Sequence, residues 1–253
     1  MDDGLVSLRL LVVSECDANR ELLRHGATLG PVPVEVIEAP TGRKACSILK
    51  YESFDLVCVD ADLGPAASAD LIGHARASRR PPFVAVVGTG ADDEPEAADG
   101  LVAMPSSLDE ARELMARLLR VRLPKRALVV DDSSTIRRMV RKILAVSQFR
   151  LEVAEVADGM TALERARDGH FNLVFLDCNM PGLDGLATLA ELKRAPRGID
   201  VVMMNPTEDA DLVARARALG AAFLKKPFYP PDIDRVLRGF YGLRVSARVP
   251  AFA

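Results

Sequence analysis

Apolar positions along the chain fall into short β-branched runs separated by longer amphipathic stretches, the alternation that βα units around a parallel sheet produce. In the second half, Ala127–Val130, Leu151–Val156, Leu173–Leu176, Val201–Met204 and Ala222–Leu224 predict five strands. Between strands the period turns helical: Ile136, Met139, Val140, Ile143 and Leu144 form one apolar stripe, with Arg137, Arg138, Arg141 and Lys142 on the other face. A last helix is expected after Pro230-Pro231, with Asp232 as N-cap and Ile233, Val236, Leu237 and Phe240 turned inward.

The first half follows the same plan. Leu10–Val13, Val34–Ile37, Leu56–Val59, Val84–Val87 and a weaker Leu101–Ala103 predict its strands. A capping box, Ser107-x-x-Glu110, opens a closing helix whose stripe is Leu108, Ala111, Leu114, Met115 and Leu118 and which is expected to reach about Val121. Pro124 ends it, and Lys125-Arg126 lead into the next strand.

The two halves are copies. Leu11 recurs as Leu128, Gly42 as Gly159, Ala45 as Ala162, Phe54 as Phe171 and Asp60 as Asp177, each 117 positions apart. The apolar skeleton is kept while the polar positions differ. The offset breaks once: Met104-Pro105 pairs with Lys226-Pro227 at a separation of 122, so the first copy has lost five residues between its fourth and fifth strands. The segment there, Ala91–Glu96, is acidic and interrupted by Pro95, so the fourth helix of the first copy is expected to be short or absent. The fold class is therefore α/β: two doubly wound parallel-sheet domains in tandem, covering 1–123 and 124–243, with a short tail at 244–253.

Composition narrows the function. With 253 residues, 49% hydrophobic and 27% charged, the chain has the mix of a protein with two domains of about 120 residues. No apolar run approaches the ~20 residues of a membrane span, and the acidic start Met1-Asp2-Asp3 shows no export signal, so a cytoplasmic protein without a membrane partner is expected. Net charge is −3, divided as 13 Lys+Arg against 20 Asp+Glu in residues 1–123 and 20 against 16 in the rest. Ordinary surface variation accounts for this division, and electrostatic attraction between the halves is the sharper alternative. Neither half is basic enough for nucleic-acid binding, and no helix-turn-helix, zinc finger or aromatic RNA platform is visible. Cys16, Cys46, Cys58 and Cys178 show no Cys-x-x-Cys spacing and read as reduced packing thiols rather than disulfides or zinc ligands. His25, His74 and His170 are isolated and read as surface residues rather than phosphotransfer histidines.

In the second copy, chemistry gathers where ligands bind open parallel sheets, beyond the carboxyl ends of the strands. Asp131-Asp132 follow its first strand, Asp177 ends the third, Asn205 the fourth and Lys226 the fifth. Two carboxylates about 4 Å apart repel by ~4 kcal/mol at an effective dielectric of about 20, and a third adds to this. A hard divalent cation removes the conflict, and Mg²⁺, which takes carboxylates, waters and phosphate oxygens, suits the set. Asp177 is then the group left for chemistry: a nucleophile toward phosphorus that would form an acyl phosphate, with Lys226 and the cation neutralising the transferring group.

Val129-Val130-Asp131-Asp132-Ser133, Leu176-Asp177-Cys178-Asn179-Met180-Pro181-Gly182-Leu183-Asp184-Gly185 and Lys226-Pro227-Phe228 together resemble the receiver domain of two-component response regulators over about residues 126–243. The resemblance implies that Asp177 accepts phosphate from a histidine kinase or a histidine phosphotransfer protein. It implies that Asp132, Asp177 and the backbone carbonyl of Asn179 hold Mg²⁺, that Asp131 acts through water, and that Lys226 contacts the phosphoryl group. Phe223 stands where receivers carry a switch aromatic. One position departs: receivers usually carry Thr or Ser after strand four, where this chain has Asn205, followed by Pro206 and Thr207. Phosphorylation is expected to survive this change, whereas the usual hydroxyl-to-aromatic coupling is not assured.

Residues 8–122 resemble the same fold with most of its site gone. Ser14-Glu15 replace the acidic pair, Gly88 stands at the Thr position and Met104 replaces the lysine, leaving Asp60 with Glu15 as a weak metal partner. Asp60 is therefore not expected to be a phosphoacceptor. Asp60-Ala61-Asp62 also fits the Asp-x-Asp start of haloacid-dehalogenase-like phosphatases, a rival that leaves the 117-residue repeat without an account.

The expected protein is thus a tandem-receiver response regulator, a phosphoacceptor with at most slow autodephosphorylation rather than an enzyme. Arg244–Ala253 are too short and too poor in apolar residues for an output domain, so output is expected through contact with another, unidentified protein. A phosphate sink for a shared kinase is the alternative, and the surface pattern is compatible with a homodimer through the fourth and fifth helices without establishing one.

Overall fold

The structure is a computed structural model and describes residues 7–88, 98–168, 171–195, 198–207 and 209–244. The segment Ala91–Glu96, where a short or missing helix is expected, and His170 lie outside these residues. The chain divides into two compact units, Met1–Leu123 with Tyr241–Ala253, and Pro124–Phe240.

The first unit runs β1 (Leu8–Val13), α1 (Asp17–Thr28), β2 (Val34–Ala39), α2 (Gly42–Leu49), β3 (Leu56–Asp60), a 3₁₀ turn at Ala61–Leu63, α3 (Pro65–Arg76), β4 (Phe83–Val87), β5 (Gly100–Val102) and α4 (Leu108–Val121). The second runs β6 (Lys125–Val130), α5 (Ser134–Ala145), β7 (Leu151–Val156), α6 (Gly159–Asp168), β8 (Leu173–Asp177), α7 (Gly185–Lys193), β9 (Asp200–Asn205), α8 (Ala210–Ala218), β10 (Ala222–Lys225) and α9 (Pro230–Phe240). Each unit holds one parallel five-stranded sheet, ordered β2-β1-β3-β4-β5 and β7-β6-β8-β9-β10. Both units are flavodoxin-like receiver folds, and in each the strand order reverses beside the first strand, so the carboxyl ends of β1 and β3, and of β6 and β8, flank a crevice.

Burial explains why the strands read as continuous apolar runs. Every residue of β3, β4 and β8 is buried, because helices cover both faces and leave no solvent side on which polar residues could alternate. The edge strands β2 and β7 are only partly covered and carry Glu35 and Glu38, and Glu152 and Glu155, three residues apart and so on opposite faces of each strand. Core clusters form around Val57, Val59 and Leu71 in the first unit and around Val174, Leu176 and Leu189 in the second. Cys46, Cys58 and Cys178 are buried and Cys16 is exposed, all as free thiols.

Three details differ from the sequence reading. The capping box of α4 is only half formed: Ser107 Oγ accepts from the Glu110 N–H at 3.2 Å, but the Glu110 carboxylate accepts from Ser106 N–H and Oγ–H, at 2.8 and 2.9 Å. Asp232 is not the N-cap of α9. The helix starts at Pro230, where a missing N–H costs nothing, and Asp232 accepts from the Tyr229 N–H at 3.0 Å from inside the first turn. The second unit closes at Phe240 rather than Leu243. Leu243 is buried against Gly100, and Arg244 pairs antiparallel with Leu101, because the short edge strand β5 leaves backbone groups free to take a bridge.

Candidate functional site

The carboxyl rim of the second sheet brings its acidic residues together. Asp131 leaves the end of β6 and Asp177 ends β8, both almost sealed at 1% and 5% exposure, while Asp132 is exposed. One carboxylate oxygen from each of Asp131, Asp132 and Asp177 lies within 4.8 Å of the others. Lys226, just beyond β10, bridges the two buried carboxylates, donating from Nζ to Asp131 Oδ2 at 2.6 Å and to Asp177 Oδ1 at 2.8 Å. Backbone amides complete them: Ser133 N–H donates to Asp131 Oδ1 at 2.9 Å and Asn179 N–H to Asp177 Oδ2 at 3.3 Å.

The charges do not balance. Burial raises the Asp177 carboxyl above its usual range, and the hydrogen bond and charge of Lys226 only partly oppose this. For Lys226 burial works toward the neutral form, but its bonds to Asp131 and Asp177 outweigh burial and hold the ammonium above its ordinary value. Three carboxylates against one ammonium leave net negative charge in a site of hard oxygen donors, a set that fits a divalent cation such as Mg²⁺.

Asn205 lies at the end of β9, 3% exposed, and its carboxamide is fully engaged. Its Oδ1 accepts from Asn179 Nδ2 at 2.9 Å, and its Nδ2 donates to the Thr207 carbonyl and Oγ1 at 2.9 and 3.0 Å. Thr207 thus holds the residue that replaces the usual hydroxyl instead of substituting for it. Phe223, in β10 opposite Met203, is half-buried against the core.

Arg137 belongs to this site although the sequence places it on the polar face of a helix. Its Nη1 donates to the carbonyls of Asp131 and Asp132, at 2.6 and 3.2 Å, and its Nε lies 3.6 Å from Glu155. The arrangement repeats in the first unit, where Arg20 Nη1 donates to the Ser14 carbonyl at 2.5 Å and Nε lies 3.6 Å from Glu38. Arg20 and Arg137, like Glu38 and Glu155, stand 117 apart, so the repeat itself carried the signal.

The equivalent place in the first unit is closed. Asp60 is 1% exposed; its Oδ2 accepts from Ser14 Oγ at 2.6 Å and Asn19 Nδ2 at 2.9 Å, and its Oδ1 from the Asp62 N–H at 3.0 Å. Neutral side-chain donors hold Asp60, where in the second unit the Lys226 ammonium holds Asp177. Glu15 and Asp62 are exposed, and among the described residues neither gathers with Asp60 into a three-ligand group. Gly88, at φ 141°, passes so close that a Cβ there would meet the Ala61 Cβ at 2.7 Å. That crowding, with Asp60 sealed, lends no support to a phosphatase site. His25 and His74 lie on α1 and α3.

Comparison with known proteins agrees with this geometry. The response regulator receiver domain family matches residues 127–238. Chemotaxis protein CheY of Bacillus subtilis is 34% identical over 113 residues, which are 44% of this chain and 91% of that protein. A protein-glutamate methylesterase/protein-glutamine glutaminase of Symbiobacterium thermophilum is 38% identical over 110 residues, or 43% of this chain, which spans only 30% of that relative. Among solved structures, a probable two-component system response regulator/GGDEF domain protein shares the fold at a TM-score of 0.53 and 22% identity, over 93% of this chain and 99% of that one. Since the receiver-domain family matches the stretch where Asp131, Asp177 and Lys226 converge, and a relative 34% identical is covered along nine-tenths of its length, this chain belongs to the response regulator family of two-component signalling through the receiver domain at residues 127–238.

Proposed function

We propose that Asp177 is the phosphoacceptor of this chain and that Asp131, Asp132 and Asp177, with the Asn179 carbonyl, hold Mg²⁺. The observation that carries the reading is the convergence of three carboxylate oxygens within 4.8 Å, two of them bridged by Lys226. The donor is a phosphohistidine on a histidine kinase or phosphotransfer protein. An Asp177 carboxylate oxygen attacks phosphorus, the P–N bond breaks with its electron pair returning to the imidazole, and an acyl phosphate forms. Lys226, already 2.8 Å from Asp177 Oδ1, follows the charge as it moves onto the phosphoryl oxygens. A bound divalent cation supplies further positive charge to those oxygens. Asn179 and Ser133 amides orient the carboxylates, and Arg137 fixes the loop that carries Asp131 and Asp132.

In this reading the chain is not a turning-over enzyme: phosphate leaves Asp177 only by slow hydrolysis. It works in the cytoplasm, and its output is a contact with a downstream protein, the first unit serving as a fixed pseudo-receiver interface. Intact-protein mass analysis after acetyl phosphate and Mg²⁺ tests the acceptor: one added phosphate, abolished by Asp177→Asn and kept in Asp60→Asn, is expected. Phosphate that persists in Asp177→Asn overturns the assignment.

A second reading, a phosphate sink for a shared kinase, is favoured by the state of Asn205. Every polar group of its carboxamide is already bonded, so reaching toward a phosphoryl group means giving up bonds to Asn179 or Thr207. Hydrogen exchange with and without beryllofluoride separates the two: slowed exchange around β10 and α9 supports a switch, and identical exchange there supports the sink.

A further inference from the structure

Between α2 and α3 of the first unit lies a second cluster of donors, remote in chemistry from the phosphoacceptor site. α2 and α3 run side by side from their first turns, where a Cβ on Gly42 would be in ordinary contact with the Ala67 Cβ at 3.7 Å. One turn further along each helix are Cys46 and Asp70, with Cys46 Sγ donating to Asp70 Oδ2 at 3.8 Å. One turn beyond Asp70, on the same face, His74 places Nδ1 2.9 Å from the Asp70 carbonyl and 3.5 Å from Asp70 Oδ1. A sulfur, a carboxylate oxygen and an imidazole nitrogen from these residues lie within 4.8 Å of one another.

Nothing in the duplicated scaffold requires this trio. The positions 117 further on hold Leu163, Ala187 and Glu191. The register between copies is sound there, because buried Leu71, Ile72 and Ala75 of α3 correspond to buried Thr188, Leu189 and Leu192 of α7. The first copy has therefore placed thiol, carboxylate and imidazole side by side where the second has no such set.

We propose that Cys46, Asp70 and His74 form a zinc site, with three protein ligands and a fourth position open to solvent. One sulfur, one nitrogen and one oxygen suit Zn²⁺ far better than Mg²⁺ or Ca²⁺. Zn²⁺ entry forms a metal–sulfur bond as the Cys46 proton leaves to water, and the thiolate and carboxylate together match the charge of the ion. Asp70 is exposed and His74 half-buried, and His74 also borders an open groove of about 350 Å³ that neither Cys46 nor Asp70 lines, so the cluster is reached from solvent on the Asp70 side. The bound ion ties α2 to α3, giving the unit that lacks a phosphoacceptor pocket a ligand of its own.

Cobalt titration of the full chain in excess Mg²⁺ tests this, since Mg²⁺ occupies the acidic site and only thiolate ligation gives sulfur-to-cobalt charge-transfer absorption. The expected absorption saturates at one equivalent, is bleached by Zn²⁺, is absent in Cys46→Ser and persists in Cys178→Ser. His74→Gln and Asp70→Asn, both at solvent-reachable positions, are expected to weaken the apparent affinity ~tenfold or more and carry the test should Cys46→Ser fail to fold. Absence of the absorption in the wild type, its persistence in Cys46→Ser, or an affinity unchanged in both His74→Gln and Asp70→Asn overturns the proposal.

Discussion

Lys226 is where the charge of the acidic pocket is decided. It is the ammonium that bridges Asp131 and Asp177, and the first copy has Met104 in its place. The substitution Lys226→Met therefore tests what the first unit lost. Phosphorylation of Asp177 by acetyl phosphate should slow by ~10²–10³-fold, as for loss of a preorganised electrostatic partner. Mg²⁺ binding, measured by calorimetry, should be unchanged or tighter, because a competing cation has gone. Slower phosphorylation with weaker Mg²⁺ binding would mean instead that the lysine mainly holds the pocket together.

Asp177 gives the pocket a pH dependence whose sign follows from burial. Its folded-state carboxyl titrates above the unfolded value of 3.8, so in the metal-free protein its contribution to stability is fully present below that value and is lost as pH rises through the raised one. A divalent cation binds the ionised form and opposes this loss. The Mg²⁺-induced rise in Tm should therefore grow as pH rises from the ordinary carboxyl value of 3.8 through the raised one, and should be much smaller in Asp177→Asn. A Mg²⁺ effect independent of pH would remove Asp177 from the ligand set.

At the scale of elements, close approaches decide positions that propensity alone would settle otherwise. Gly26 sits in the last turn of α1, where Ala is favoured by about 1 kcal/mol over Gly in a helix. A Cβ there would meet the Ala111 carbonyl carbon on α4 at 2.6 Å, and backbone cannot swing aside as a side-chain tip can. Overpacking of this kind costs ~1–3 kcal/mol against that ~1 kcal/mol gain, so Gly26→Ala should fail to stabilise and should destabilise by up to ~2 kcal/mol in denaturant unfolding. Gly185 is under the same constraint at the start of α7, where a Cβ would stand 2.4 Å from the Asp177 carbonyl oxygen and disturb the strand end that carries the site.

At the scale of the whole molecule, one architecture is used twice with different fillings. Both units keep the Arg–Glu tie that braces the loop after the first strand, Arg20–Glu38 and Arg137–Glu155. They part at the pocket: Asp60 is held by uncharged hydrogen-bond donors, Asp177 by an ammonium with negative charge left over. Mg²⁺ should accordingly slow amide exchange at the ends of β6 and β8 and leave the ends of β1 and β3 unchanged. Protection around Asp60 would show that the first unit retains a metal site.

The sequence by itself determined the two parallel sheets, their duplication and the acidic rim, because burial on both faces writes continuous apolar runs and helices write a 3.6-residue stripe, both local patterns. It also placed Asp131, Asp132, Asp177 and Lys226 at strand ends, where the sheet topology leaves them no choice but to converge. Only the tertiary structure decided which partners the polar groups take. Arg137 turns from the polar face of α5 onto two carbonyls, Asn205 is clasped between Asn179 and Thr207, Asp232 caps from within its helix, and Arg244 bridges to Leu101. Those choices join residues distant in sequence or turn on sub-ångström geometry, and a hydrogen bond is too short-ranged to leave a periodic trace along the chain.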